Sequence, residues 1–239
     1  AKTKNVIESW KPDVVIAADD NASKYLIQLY YKNADLPIVF CGVNWDASVY
    51  GYPYTNATGM VEVGLNKAIV VQMRQFAKGD KIGLLNIDSF TAKKNAQHHV
   101  KFMGKPYDKT YYVHTYQEWK ESFLKLQDEV DMMIMGNPHG ILDWDEKDFI
   151  LFAERHTRIP TGANIDWVKK FTLLGYLKLP EEQGSWAATT ALRILKGEKP
   201  SDIPITQNKH GKLFLNIRLV KKLGIFIDKA IRRRAEIVQ

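Results

Sequence analysis

Apolar and polar positions along the chain follow two rhythms. Short, nearly continuous apolar runs occur at residues 13–17, 38–41, 81–86, 110–114, 130–135 and 159–161. Between them, apolar residues recur at helical spacing over 22–33, 64–77, 89–103, 116–128, 144–156 and 181–196. Unbroken apolar strands, rather than strictly alternating ones, are what a parallel sheet buried on both faces requires, so the pattern predicts an α/β fold. Several joints carry matching chemistry. Thr115 with Glu118, and Asp143 with Glu146, have capping-box spacing, and Pro180 with Glu181 and Glu182 suits a first helical turn, where amides lack partners and the dipole favours acids.

The alternation restarts after the 64–77 helix, which predicts two α/β lobes: residues 1–77 as lobe 1 and 78–200 as lobe 2. Residues 201–239 fit neither rhythm. GEKPSDIPITQNKHGKLFLN has the look of extended chain and a turn, leading to C-terminal helices that return toward lobe 1 as a crossover segment.

In open parallel sheets, ligands bind beyond the carboxyl ends of strands, where loops meet helix N-termini. The ends of the predicted strands are polar. They read Asp19-Asp20-Asn21, Gly42-Val43-Asn44-Trp45-Asp46, Asp88-Ser89, Gly136-Asn137-Pro138-His139 and Asn164-Ile165-Asp166-Trp167. Taken singly, Asn21, Asp88 and Ser89 are ordinary helix caps, and Trp45 and Trp167 could cover a hinge. Caps alone do not call for indoles beside amides at the same edge; a cleft for a small polar molecule with a flat apolar part does.

Composition narrows the chemistry. The chain has 239 residues, 45% of them apolar, enough for a substantial core. The formal charge of +7 is spread among 27 acidic residues, with local concentrations at Lys93-Lys94 with Lys101 and Lys105, and at Arg232-Arg233-Arg234. These are read as solvated surface in preference to a nucleic-acid or membrane contact, and nucleic acid is not an expected partner. The single cysteine, Cys41, ends an apolar strand and reads as a buried structural thiol. His98-His99 has no carboxylate at metal-ligand spacing, and HExxH, GxSxG, GxxxxGK[ST] and GxGxxG are absent. No catalytic residue, metal site or cofactor is expected, and the protein reads as a non-enzyme. The N-terminal AKTKNVIESW has neither a signal-type apolar stretch nor a starting methionine, and it reads as the beginning of an excised piece.

KPDVVIAADDNAS, LPIVFCGVNWD, NATGMVE, GDKIGLLNIDSF, GSWAATTALRILKGEKPSDIPI and LNIRLVKKLGIFI, in that order, resemble the landmarks of type I periplasmic substrate-binding proteins of ABC transporters. The branch they resemble most is associated with tryptophan and tyrosine uptake. The resemblance implies two Rossmann-like lobes joined by three crossovers, closing on a ligand by a hinge. It places Asp20, Asn21, Asn44, Trp45, Asp46, Thr58, Ser89, Asn137, and Asn164 or Asp166 at the ligand. A zwitterionic amino acid would set its carboxylate on helix N-terminal amides and hydroxyls such as Ser89, its ammonium near Asp20 or Asp46, and its ring on Trp45.

The sequence departs from the family in two places. Relatives carry a strand, a helix and a second strand before the segment matching KPDVVIA, so the first strands of lobe 1 are expected to be missing and an open edge to lie beside 13–17. Many transporter members have an Asp-Pro step where this chain has Asn44-Trp45-Asp46. That variant is also similar to extracellular sensor domains of histidine kinase or cyclase type. The implied partners are a small-molecule ligand and the membrane permease of an ABC transporter, or else a signalling module in the same chain. The implied location is periplasmic or extracellular, with membrane association through a lipid anchor or a transmembrane helix outside this sequence. A LacI-like regulator would need an N-terminal helix-turn-helix that is not present.

Overall fold

The structure is a computed structural model that describes residues 2–239. In chain order its elements are α1 (Lys2–Trp10), β1 (Val15–Ala18), α2 (Asp19–Ala22), a π-helical stretch (Ser23–Tyr31), β2 (Ile38–Asn44), β3 (Ala57–Glu62), α3 (Asn66–Arg74), β4 (Ile82–Ile87), α4 (Phe90–Met103), β5 (Lys109–Val113), α5 (Tyr116–Glu129), β6 (Met132–Met135), α6 (Glu146–His156), β7 (Thr161–Ala163), β8 (Leu174–Lys178), α7 (Pro180–Leu195), β9 (Thr206–Gln207), β10 (Gly211–Asn216), α8 (Ile217–Leu223), α9 (Lys229–Arg234) and β11 (Glu236–Val238). The chain divides into two compact units, Ala1–Gly64 with Leu179–His210, and Leu65–Lys178 with Gly211–Gln239, so it passes three times from one to the other.

This division differs from the sequence-based one. The helix at 66–74 opens the second unit instead of closing the first, α7 belongs to the first, and the C-terminal residues 211–239 complete the second. Sequence rhythm marks where elements change but not which sheet a helix covers. Ile69, Val70 and Met73 of α3 pack with Ile82, Leu84 and Ile134 of the second sheet, which decides its membership.

In the first unit, four strands lie in the order β1-β2-β3-β9, all parallel, with β1 at an edge among the described residues. Val39 and Cys41 of β2 meet Ala187, Ala191 and Ile194 of α7, whose apolar positions recur at three- and four-residue spacing and so share one face. The β2–β3 register shifts between Phe40 and Val43, where Gly42 adopts φ +68°, a conformation costly for a residue with a Cβ. Gln183 of α7 is buried against this irregularity: its Oε1 accepts from Gly42 N at 3.0 Å and its Nε2 donates to Val61 O at 3.3 Å. The side-chain amide thereby supplies bonds the shifted ladder cannot make.

The second unit has seven strands in the order β11-β10-β8-β7-β6-β4-β5, parallel except for the antiparallel β8–β10 pair. Both faces are covered. Leu85, Met133 and Met135 point to a core with Trp119, Phe123, Phe149 and Phe171. Their neighbours Leu84, Met132 and Ile134 point to the opposite core with α3 and α8, as the two-residue period of a strand demands. The strands β3, β8, β10 and β11 were not among the apolar runs, because each is short, glycine-containing or partly exposed.

Caps agree with the sequence at two joints: Thr115 and Glu118 form a reciprocal capping box, and Pro180 begins α7. The third needs correction: α6 is capped by Asp145, whose side chain accepts from Asp148 N at 3.0 Å, and Asp143 instead sits at φ 58° in the preceding turn. Two acids on either side of Trp144 offer two frames for the same spacing rule, and the strand-to-helix path selects the later one. Among the described residues, no helix is long and apolar enough to cross a membrane.

Candidate ligand-binding site

Because the strands of each sheet are predominantly parallel, their carboxyl ends gather at one edge of each unit. In the first unit this brings Asp20, just beyond β1, to Asn44 at the end of β2. The Asp20 carboxylate accepts from Asn44 Nδ2 at 2.7 Å through one oxygen and from Asn44 N at 3.2 Å through the other. The Tyr50 hydroxyl also donates to Asp20, and burial followed by this bond and the acid's charge pushes its pKa up to about 12. The consequence for Asn44 is directional. With Nδ2 turned to Asp20, an exposed side chain offers its carbonyl oxygen outward as an acceptor.

Trp45 follows at φ 63°, its amide bonded to Glu62 O at 3.0 Å, which ties the end of β2 to that of β3. Asp46 turns back. Its amide donates to Asn44 O at 2.7 Å, and its Oδ1 accepts from Ser48 N at 2.9 Å, capping the 3₁₀ turn Ala47–Tyr50. Asn21 is an exposed residue within α2, whose N-cap is Ala18, so Asn21 does not cap this helix. Thr58 is fully buried and its hydroxyl donates to Ile203 O at 2.7 Å. That bond ties β3 to the chain leading into β9. Cys41 is buried, and burial followed by the charge of Glu62 raises its thiol pKa, leaving a poor nucleophile.

In the second unit, the end of β6 is built around two asparagines. Asn86 Oδ1 accepts from Ile87 N at 2.9 Å and from Asn137 N at 3.0 Å. Gly136 leaves room for this amide, since a Cβ there would lie 2.2 Å from Asn86 Cγ. Asn137 Oδ1 in turn accepts from His139 N at 2.9 Å and from Trp167 Nε1 at 3.0 Å. The Trp167 indole stacks on the His139 ring at 4.8 Å and 17°. An indole anchored at its N–H and backed by an imidazole is a fixed flat surface.

Asn164, beyond β7, belongs to a separate buried cluster of the same unit. Its Nδ2 donates to Asn66 Oδ1 at 2.6 Å and lies 3.5 Å from His99 Nε2. Asn66 Nδ2 reaches His99 Nδ1 at 3.0 Å and the Tyr107 hydroxyl at 3.3 Å. His99 is uncharged at neutral pH: burial, then the charges of His98 and Lys178, pull its pKa down to about 4. Ser89 caps α4, its hydroxyl oxygen accepting from Ala92 N at 3.2 Å. Asp166 pairs with Lys169 at 2.9 Å at the start of a 3₁₀ turn. The structure therefore joins Asp20 with Asn44, and Asn137 with Trp167, while giving Thr58, Ser89 and Asp166 partners of their own.

Tyr50, Gln183, Asn86, Asn66, His99 and Tyr107 were missing from the sequence-based site. His139 was visible as an imidazole at a strand end; the others lie inside elements or far along the chain and carry no local signal. Among the described residues, no group of three or more His, Cys, Asp or Glu side chains could hold a metal ion.

Over residues 1–239 the chain matches the family described as ABC transporter substrate binding protein. It belongs to that family. No curated protein matches it by sequence. Among solved structures, it is similar to a substrate binding protein with adhesive properties from Clostridium difficile in a ligand-free, open structure, at 19% identity and a TM-score of 0.76, covering 100% of this chain and 82% of that one. It is also similar to a conserved domain protein of Vibrio cholerae, at 16% identity and a TM-score of 0.59, covering 100% and 82%. A third is a Streptococcus pneumoniae domain in complex with L-Trp, at 19% identity and a TM-score of 0.57, covering 100% and 83%. These likenesses show the fold, that of type I periplasmic binding proteins, in agreement with the α/β reading of the sequence.

Proposed function

We propose that this substrate-binding protein captures an aromatic amino acid outside the cytoplasm and presents it to the permease of an ABC transporter. The observation that carries the reading is the pairing of polar strand ends with indoles in each unit: Asp20, Asn44, Trp45 and Asp46 in one, Asn137, His139 and Trp167 in the other. In the first unit Asn44 Oδ1 and the carboxylate of Asp46 are suited to an ammonium group and Trp45 to a flat ring; in the second unit the anchored Trp167 indole is itself suited to a flat ring. The L-Trp complex formed by the pneumococcal protein of like fold agrees in ligand class.

Asp20 takes a supporting part in this reading, holding Asn44 instead of contacting the ligand, and Thr58 stays out of it. Titration calorimetry with L-tryptophan, L-tyrosine and L-leucine tests the assignment. Binding of the aromatic pair, weakened by Asn44→Ala and by Trp167→Ala, is the expected result. Heat from leucine alone, or from none of the three, refutes the aromatic assignment.

A further inference from the structure

The last eighteen or so residues hold a feature that solute binding does not use. Lys221 and Lys222 end α8, and Lys229, Arg232, Arg233 and Arg234 lie in α9, all exposed. Asp228 is the one acid within 221–234, and its carboxylate is occupied as the α9 cap, accepting from Ala230 N at 2.6 Å. Acids on neighbouring elements are engaged elsewhere: Glu236 of β11 with Lys169 and Lys212, and Glu154 of α6 with Arg218. Between the two groups of cations stands Phe226, 86% exposed. In α9, Lys229 shares a face with Arg232 and Arg233 by three- and four-residue spacing, while Ile231 is partly buried.

We propose that this segment rests on an anionic phospholipid surface, with the cations at the headgroup phosphates and the Phe226 ring in the interface. Cations flanking an exposed aromatic ring are the composition of interfacial membrane segments. The chain belongs to a family of substrate-binding proteins of ABC transporters, whose permeases lie in a bilayer. Lipid phosphates offer many dispersed charges to a flexible array of long side chains, with no fixed geometry required. The inference stands independently of which solute is bound.

Co-sedimentation of the whole chain with phosphatidylglycerol and phosphatidylcholine vesicles tests it. At about 0.1 M salt, where charges interact over ~10 Å, the protein should partition onto phosphatidylglycerol and leave phosphatidylcholine, and salt near 1 M should release it. Replacing Arg232, Arg233 and Arg234 by Ser should weaken binding about 100-fold, at roughly fivefold per charge. Phe226→Ser should weaken it roughly tenfold. Lys93→Ser with Lys94→Ser, the other basic spot, should leave it unchanged. Circular dichroism checks that each variant is folded, and Lys221→Ser with Lys222→Ser supplies a second basic variant whose binding should also fall. Equal binding by the triple-arginine variant and the wild type, no preference for phosphatidylglycerol, or tighter binding to polyglutamate or a single-stranded oligonucleotide at the same salt would overturn the proposal.

Discussion

The two units end their strands differently. The first offers charge: Asp20 and Asp46 flank Asn44, and the acid nearest Asn44 is spent on orienting it. The second, at the ends of β6 and β7, offers neutral groups: Asn86 and Asn137 lock an indole against an imidazole, and the histidine behind Asn164 is held uncharged. Their cores differ as well, since the second unit buries both faces of its sheet whereas the first leaves Ile16, Tyr25, Leu29 and Tyr30 exposed around β1 and the helical segment after it. The charged strand ends thus sit on the less covered scaffold, and the anchored indole on the one covered on both faces.

The largest effect should come from breaking the second core. Phe149 is fully buried and contacts Trp119, Phe123, Trp144 and Phe171, so Phe149→Ala should cost about 3–5 kcal/mol in denaturant unfolding. If the units unfold separately, fluorescence from Trp119 and Trp144 should report this loss while the first unit keeps its midpoint.

His99 comes next. Its folded pKa of about 4 lies below the ordinary value of 6.5, so the unfolded chain binds more protons between those pH values. Stability from this group is complete above pH 6.5 and falls as pH drops toward 4, by about 3 kcal/mol. His99→Asn should flatten that part of the pH–stability curve relative to wild type; an unchanged slope would show that the ring is free to protonate in the fold.

A smaller effect separates orientation from contact. Asp20→Ala should weaken L-tryptophan binding by about tenfold, the worth of one charge-assisted hydrogen bond. In an Asn44→Ala background the same change should cost almost nothing, because Asp20 acts through Asn44. Additive losses in this cycle would mean that Asp20 touches the ligand itself. Least of all, Ser89→Ala should remove about 1 kcal/mol of stability as a lost helix cap while changing affinity little. A large loss of affinity at unchanged stability would return Ser89 to the ligand.

Much of the fold was legible because helices and buried strands impose their own periods on a sequence. The helices at 89–103, 116–128 and 181–196 reappear as α4, α5 and α7 with shifts of one or two residues. β9 and β11 were illegible since two or three residues hold no period. At the site, strand ends announced Asn44, Trp45 and Asn137 by type, but not what each does. Tyr50 and His99 gave no sign, since a tyrosine in a short turn and a histidine in a helix are unremarkable until their partners arrive.

The sequence by itself determined the α/β alternation, the helix caps at Ser89 and Thr115 and the polar character of the strand ends, all consequences of local backbone geometry and short-range hydrogen bonding. The tertiary structure decided which unit each helix joined and which polar groups were already spent: Asp20 on Asn44, Thr58 on Ile203, Asn164 on Asn66. Those partners lie 24, 145 and 98 residues apart in the chain. Burial forces every such group to find a mate, and only packing of the whole unit fixes which mate is within reach.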